Sequence, residues 1–150
     1  KENKPMGTAG FLKKLKKINK PFIVVNGDIL CNINLKEFLK HHKNNNAYAS
    51  MAVRVISNTN PYGVVKTKGK KILQIIEKPK NIININAGIY LFNPSILSLM
   101  KKKIKNKLDM NELFNYLNKS NKKNIIFPLY EKWLDIGNMK NYIEAKNSYK

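Results

Sequence analysis

A single cysteine, Cys31, leaves no intramolecular disulfide to form, so packing and hydrogen bonds must hold this chain together, and a reducing, cytoplasmic setting is the expectation. A lone thiol just after a predicted strand reads as structural rather than nucleophilic. Long apolar runs are missing too. None approaches the roughly 18 residues that a membrane span needs, and no signal-peptide pattern opens the chain, so a soluble protein without a membrane partner is predicted. Acidic residues are scarce: 9 Asp+Glu face 29 Lys+Arg, a formal net charge of +20. Such an excess raises nucleic acid as a partner. Here the lysines are dispersed and accompanied by abundant Asn and Ile, the bias of an AT-rich coding sequence, and neither a reader motif nor interleaved aromatic stacking residues occur. A basic nucleic-acid-binding module therefore ranks below an enzyme, although dispersed positive charge still favours phosphorylated ligands. Repeats and interdomain linkers are absent, and 43% apolar residues over 150 positions suit one domain, residues 1–150.

The organising stretch is Pro21-Phe22-Ile23-Val24-Val25-Asn26-Gly27-Asp28. Four bulky apolar residues between Pro and Gly predict a strand covered on both faces in an α/β sheet. The carboxyl end of such a strand faces the ligand crevice, and Gly27 allows close approach, so Asp28 stands where a phosphate-bound metal would sit. Upstream, Phe11, Leu12, Leu15 and Ile18 recur at helical spacing with lysines between them, predicting an amphipathic helix after the small-residue loop Met6-Gly7-Thr8-Ala9-Gly10.

Downstream, Leu35, Phe38 and Leu39 predict a second helix, capped by Asn34 with Glu37 three residues on. His41 and His42 are adjacent, lack metal-ligand spacing, and read as a solvated helix end. Residues 47–56 predict a strand. Tyr62 to Lys66 and Ile72 to Ile76, joined by Lys-Gly-Lys, predict a hairpin that ends in Glu77-Lys78-Pro79. Residues 84–92 predict another buried strand, interrupted by Asn86 and Gly88. A helix from Asn93-Pro94 to Met100, a lysine-rich connector over 101–107 and a helix over 109–118 follow. Ile125 to Phe127 and Trp133 to Gly137 read as strand segments, and Tyr142 to Ala145 as part of a closing helix.

Asp28 and Asp135 each end an apolar strand beside a glycine. Two carboxylates, with phosphate oxygens and water in the remaining positions, are a usual way to hold Mg²⁺; each aspartate taken alone is more often a turn or cap residue. Six short motifs, in order, are Met6-Gly7-Thr8-Ala9-Gly10, Val25-Asn26-Gly27-Asp28, Tyr62-Gly63-Val64-Val65, Glu77-Lys78-Pro79, Asn86-Ala87-Gly88-Ile89-Tyr90 and Trp133-Leu134-Asp135-Ile136-Gly137. Together they resemble the sugar-1-phosphate nucleotidylyltransferases, and the resemblance covers essentially the whole chain.

That resemblance implies an α/β fold, a Rossmann-like mixed sheet flanked by helices. It implies nucleotidyl transfer from a nucleoside triphosphate to a sugar 1-phosphate, giving an NDP-sugar and pyrophosphate, with guanylyl transfer for surface polysaccharide or glycan synthesis as the leaning. Asp28, Lys78 and Asp135 would be catalytic, with Asp28 and Asp135 binding Mg²⁺. Gly7, Thr8 and Asn26 would bind the nucleotide; Gly63, Glu77, Lys78, Asn86, Gly88 and Trp133 would hold the sugar phosphate. A non-catalytic sugar-nucleotide-binding relative is the alternative, and the oligomeric state stays open, homo-oligomers included. The family opens with a strand and a Gly-rich loop carrying a basic residue. No such pattern precedes Met6, so the resemblance implies an N-terminally truncated chain, and these 150 residues alone are expected to be inactive or very weak.

Overall fold

The computed structural model describes residues 4–103 and 107–148. A four-stranded mixed sheet lies at its centre, in the order β1 (Phe22–Val25), β6 (Lys80–Phe92), β3 (Ala49–Thr59), β7 (Asn124–Leu129). Strand β6 runs antiparallel to both β1 and β3, whereas β3 and β7 are parallel. The carboxyl ends of β1, β3 and β7 therefore share one edge.

Alternation along β6 decides what covers the sheet. Tyr90 and Phe92 face a cluster with Leu12, Ile96, Met100, Leu113 and Leu117, while Ile89 and Leu91 face one built on Phe38 and Leu129. On the first face lie α1 (Gly7–Gly10) with the 3₁₀ turn that continues it (Phe11–Lys14), α3 (Ser95–Lys103) and α4 (Met110–Lys119). Helix α2 (Leu35–Asn44) covers the other. Burying a residue such as Leu91 or Phe92, both fully enclosed, contributes about 1.5–3 kcal/mol. The expected α/β architecture with a mixed, helix-flanked sheet is thus found.

Beyond the sheet, residues 55–59 of β3 and 80–84 of β6 continue as a two-stranded arm. The expected hairpin is present as β4 (Val64–Lys68) and β5 (Lys71–Ile76), with Gly69 supplying the positive φ of its turn. A third pairing joins β2 (Ile29–Cys31) to β8 (Trp133–Asp135), after which α5 (Met139–Ser148) follows.

Four expectations need correction. The first helix spans Gly7–Gly10 and a 3₁₀ turn to Lys14, and Leu15 is already extended at ψ 137°. Two glycines propagate a helix poorly, and four lysines at 13, 14, 16 and 17 repel one another across adjacent turns. Leu15 and Ile18 still reach the core, from an extended segment. Strand β1 is only half covered, with Val25 50% exposed, because its single sheet partner among the described residues is β6. The histidines are not a solvated end. His42 is 2% exposed and its Nδ1 lies 2.7 Å from the Ser50 hydroxyl, while His41 Nε2 lies 3.0 Å from the Ile126 carbonyl oxygen. Finally, α3 extends to Lys103, so the predicted connector over 101–107 begins as helix, and its positions 104–106 lie outside the described residues.

Candidate functional site

The turn after β1 carries the first candidates. The Asn26 amide donates to the Gly88 carbonyl at 2.8 Å, and the Ile29 amide closes the turn on the Asn26 carbonyl at 3.4 Å, so Asn26-Gly27-Asp28 projects from the end of the sheet. Opposite this turn, β6 bulges: Tyr90 pairs with Met51, but the next pair is Asn86 with Val53, leaving Ala87, Gly88 and Ile89 opposite Ala52 alone. Gly88 takes φ +71°, and a Cβ there would sit 2.9 Å from Asn26 Nδ2 and from Ile29 Cγ1. The bulge and the turn touch because Gly88 has no side chain. Asn86 closes the bulge, its Oδ1 accepting from the Gly88 amide at 3.0 Å and its Nδ2 donating to the Tyr90 hydroxyl at 2.8 Å. Burial pushes the Tyr90 phenol above its usual range against that hydrogen bond, so the hydroxyl stays neutral.

Pairing of β2 with β8 sets Ile29 opposite Asp135, and the Ile136 amide donates to the Asp28 carbonyl at 2.8 Å. The two aspartates consequently converge on Gly137. A Cβ on that residue would lie 3.0 Å from Asp135 Oδ1 and 3.5 Å from Asp28 Oδ2. The Gly137 amide donates to Asp135 Oδ1 at 2.8 Å, and Asn141 Nδ2 holds the Asp135 backbone carbonyl at 2.6 Å. No group of three or more His, Cys, Asp or Glu side chains gathers among the described residues. Two converging carboxylates without a third suit a cation that keeps much of its shell as water and phosphate oxygen, as Mg²⁺ does, rather than a fully protein-caged ion.

Beside this pair opens a cleft of about 430 Å³ lined by Thr8, Phe11, Val24, Val25, Asn26, Gly27 and Asp28. Thr8 is held by contacts invisible to a local reading. Its amide donates to Asp109 Oδ1 at 3.0 Å, and its hydroxyl accepts from the Met110 amide at 2.8 Å. The Ala9 amide donates to the Leu108 carbonyl at 2.9 Å, which in turn lies 2.5 Å from where a Cβ on Gly7 (φ +77°) would be. The Gly-Thr-Ala-Gly turn is therefore clipped onto the start of α4, with Asp109 as the clip and its amide secured by Glu112 at 2.8 Å. The spacing Asp-x-x-Glu at 109–112 is a helix-start signal that could have drawn attention to Asp109.

The remaining candidates divide into two groups. Trp133 sits half-buried in β8 and its indole N–H donates to the Ala87 carbonyl at 2.9 Å, bracing the bulge from behind. Glu77 and Lys78 lie exposed at the base of the hairpin. A Cβ on Gly63 would fall 2.9 Å from Glu77 Oε2, so these two pack as a pair, and Lys78 adopts φ 43°, a costly conformation for a non-glycine residue. Among the described residues no hydrogen bond links this hairpin group to Asp28 or Asp135. Burial raises the Cys31 thiol above its ordinary pKa, which suits a structural role rather than a nucleophilic one.

The sequence profile of the nucleotidyl transferase family matches residues 1–150. The chain is 36% identical to "Probable mannose-1-phosphate guanylyltransferase 3" of Arabidopsis thaliana, over 99% of this chain and 46% of that protein. It is 33% identical to a mannose-1-phosphate guanyltransferase of Yarrowia lipolytica, over 99% and 42% respectively. Among solved structures it superposes on HddC from Yersinia pseudotuberculosis complexed with GMP-PN with a TM-score of 0.69, at 25% identity over 99% of this chain and 65% of that one. The chain thus spans less than half the length of these curated relatives.

Proposed function

From the premise that this chain belongs to the nucleotidyl transferase family, we propose that the whole protein transfers a nucleotidyl group, guanylyl by preference, from a nucleoside triphosphate to a sugar 1-phosphate of the mannose type. The observation that carries this reading is the convergence of Asp28 and Asp135 on Gly137 beside the cleft lined by Thr8 and Asn26. The names of the relatives support the sugar and the base. An oxygen of the sugar phosphate attacks the α-phosphorus, the new P–O bond forms in line, and the bond to the β-phosphate oxygen breaks to release pyrophosphate.

The difficulty of that step is electrostatic, because two polyanions must meet. Bound Mg²⁺ would supply positive charge between them, held by the Asp28 and Asp135 carboxylates. Gly7, Thr8 and Asn26 line the nucleotide side, and the missing side chain at Gly27 leaves room for phosphate at the strand end. Lys78 neutralises the sugar phosphate from the hairpin, with Gly63 and Glu77 beside it and Asn86 and Gly88 at the bulge. Trp133 acts in this scheme by bracing Ala87. A cytoplasmic enzyme supplying activated sugar for glycan synthesis is the corresponding setting. No helix of the described residues is long and apolar enough to cross a membrane.

The test is pyrophosphate release by the whole protein with each nucleoside triphosphate, mannose 1-phosphate and Mg²⁺. Turnover with GTP and its loss on chelation are expected. Mg²⁺-dependent binding of GTP without turnover would instead identify a non-catalytic sugar-nucleotide-binding relative.

A further inference from the structure

Helix α1 is too short and too rich in glycine to hold its own shape. It has four residues, two of them glycine, and Met6 at its N-cap position makes no side-chain cap. The amides of its first turn therefore need an acceptor from elsewhere. Asp109 supplies one from 101 residues further along the chain: its Oδ1 accepts from the Thr8 amide at 3.0 Å and lies 3.4 Å from the Thr8 hydroxyl oxygen. The exchange is mutual. Thr8 Oγ1 accepts at 2.8 Å from the amide of Met110, the first residue of α4. Two helix starts thus cap each other, and they meet because Ala9 and Leu12 share a buried cluster with Met110 and Leu113 on one face of the sheet.

Backbone bonds on either side, from the Ala9 amide to the Leu108 carbonyl and from the Leu108 amide to the Met6 carbonyl, both 2.9 Å, extend this clasp without engaging Thr8 itself. Thr8 lines the cleft beside Asn26 and Asp28, whereas Asp109 is not part of its lining. Asp109 therefore reaches a ligand in the cleft only through Thr8. We propose that Asp109 is a positioning residue for the nucleoside triphosphate: it fixes the part of the cleft wall that Thr8 forms, and so sets nucleotide affinity without acting on the sugar 1-phosphate. This rests on the function proposed above. The role needs an acceptor rather than a charge, because an Asn Oδ1 can accept the same bond and caps a helix start equally well.

The test uses the whole protein: calorimetric titration with GTP, ATP, UTP and CTP in the presence of Mg²⁺, then kcat and both KM values for pyrophosphate release. Asp109→Ala should weaken the nucleotide that wild type binds about tenfold, the order expected when a hydrogen bond to a charged acceptor is lost. Its kcat and its KM for mannose 1-phosphate should stay within about threefold of wild type, and Asp109→Asn should restore nucleotide affinity to the same margin. Glu112→Ala separates this effect from loss of helix stability, because it removes the 2.8 Å bond to the Asp109 amide and leaves Thr8 its acceptor. It should lower the melting temperature and keep nucleotide affinity. Asp109→Ser retains a capping hydroxyl for α4 on a side chain too short for Thr8; it replaces the alanine variant should that fail to fold, with the same expected loss. Nucleotide affinity within about threefold of wild type in the Ala or Ser variant, no rescue by Asp109→Asn, an equal loss in Glu112→Ala, or an equal rise in KM for mannose 1-phosphate overturns the proposal. A wild type that binds nucleotide without releasing pyrophosphate counts against the catalytic reading alone, since the affinities still decide; one that binds no nucleoside triphosphate overturns both.

Discussion

Replacing Gly88 by Ala tests whether the β6 bulge and the Asn26-Gly27-Asp28 turn are one rigid unit. At φ +71°, any L-residue gives up about 1–2 kcal/mol before it touches anything. The added Cβ would then lie 2.9 Å from Asn26 Nδ2 and Ile29 Cγ1, well inside the roughly 3.5–4.0 Å at which carbon atoms attract. Both contacted atoms belong to side chains, so relief must come from turning the Asn26 and Ile29 side chains while their backbones stay held, Asn26 by its bond to the Gly88 carbonyl and Ile29 by pairing in β2. Overpacking of this kind adds about 1–3 kcal/mol. The sum, roughly 2–5 kcal/mol, corresponds to a fall in melting temperature of about 4–20 °C for a chain of this size. Gly27→Ala is the control. Its φ is not in the left-handed region and a Cβ there meets nothing within 4 Å, so stability should hold or rise by up to about 1 kcal/mol. The assay is thermal unfolding followed by circular dichroism for wild type and both variants. A Gly88→Ala protein melting within about 2 °C of wild type, or a Gly27→Ala protein falling as far, would refute the reasoning.

Three further outcomes are expected. Asp28→Asn and Asp135→Asn each keep shape but remove a charge from the pair facing Gly137, so Mg²⁺-dependent pyrophosphate release should fall on the order of a hundredfold with the melting temperature held; near wild-type turnover in either variant removes that residue from the site. His42 is held neutral by burial, and the neighbouring His41 adds to the effect, so its folded pKa lies below the ordinary 6.5. The unfolded chain therefore binds the proton more readily, and this residue's contribution is complete above about pH 6.5 and declines as the pH falls towards the folded value, by at most about 1.4 kcal/mol per pH unit. Urea unfolding at pH 7.5 and 5.5 should show a larger acid loss in wild type than in His42→Gln, and equal losses would exclude His42 as the cause. Trp133→Phe orphans the buried Ala87 carbonyl, at a cost of about 1–3 kcal/mol. A chemical denaturation curve that does not move would mean that the carbonyl finds another partner.

What the sequence revealed follows from how local each signal is. The hairpin, the Asn34 cap and the buried run of β6 are written in neighbouring residues, and the Asn34 Oδ1 indeed accepts from the Lys36 and Glu37 amides. His41 and His42 were misread because their partners, Ile126 and Ser50, come from other elements. The apolar run of β1 suggested two covered faces, but a run of four residues cannot show how many neighbours the strand will have. Strand β2 left no pattern at all, since Ile-Leu-Cys is too short to display a period.

That short strand nevertheless does most to assemble the candidate metal pair. Asp28 and Asp135 could be singled out as strand ends beside glycines, but nothing local says that the two ends adjoin. They meet because three residues of β2 lie against three of β8 in a register that places Ile29 opposite Asp135. The glycines behave the same way. A sequence shows that Gly7, Gly88 and Gly137 lack side chains, not that Leu108, Asn26 and the two carboxylates occupy the space a side chain would need. Where the chain must bring distant loops within van der Waals distance, the informative feature is an absent atom, and its meaning lies in the partner that fills the gap. Substituting each of these glycines therefore probes a contact rather than a local preference, which is why Gly27, equally glycine and next to Asp28 in the chain, should tolerate what Gly88 does not.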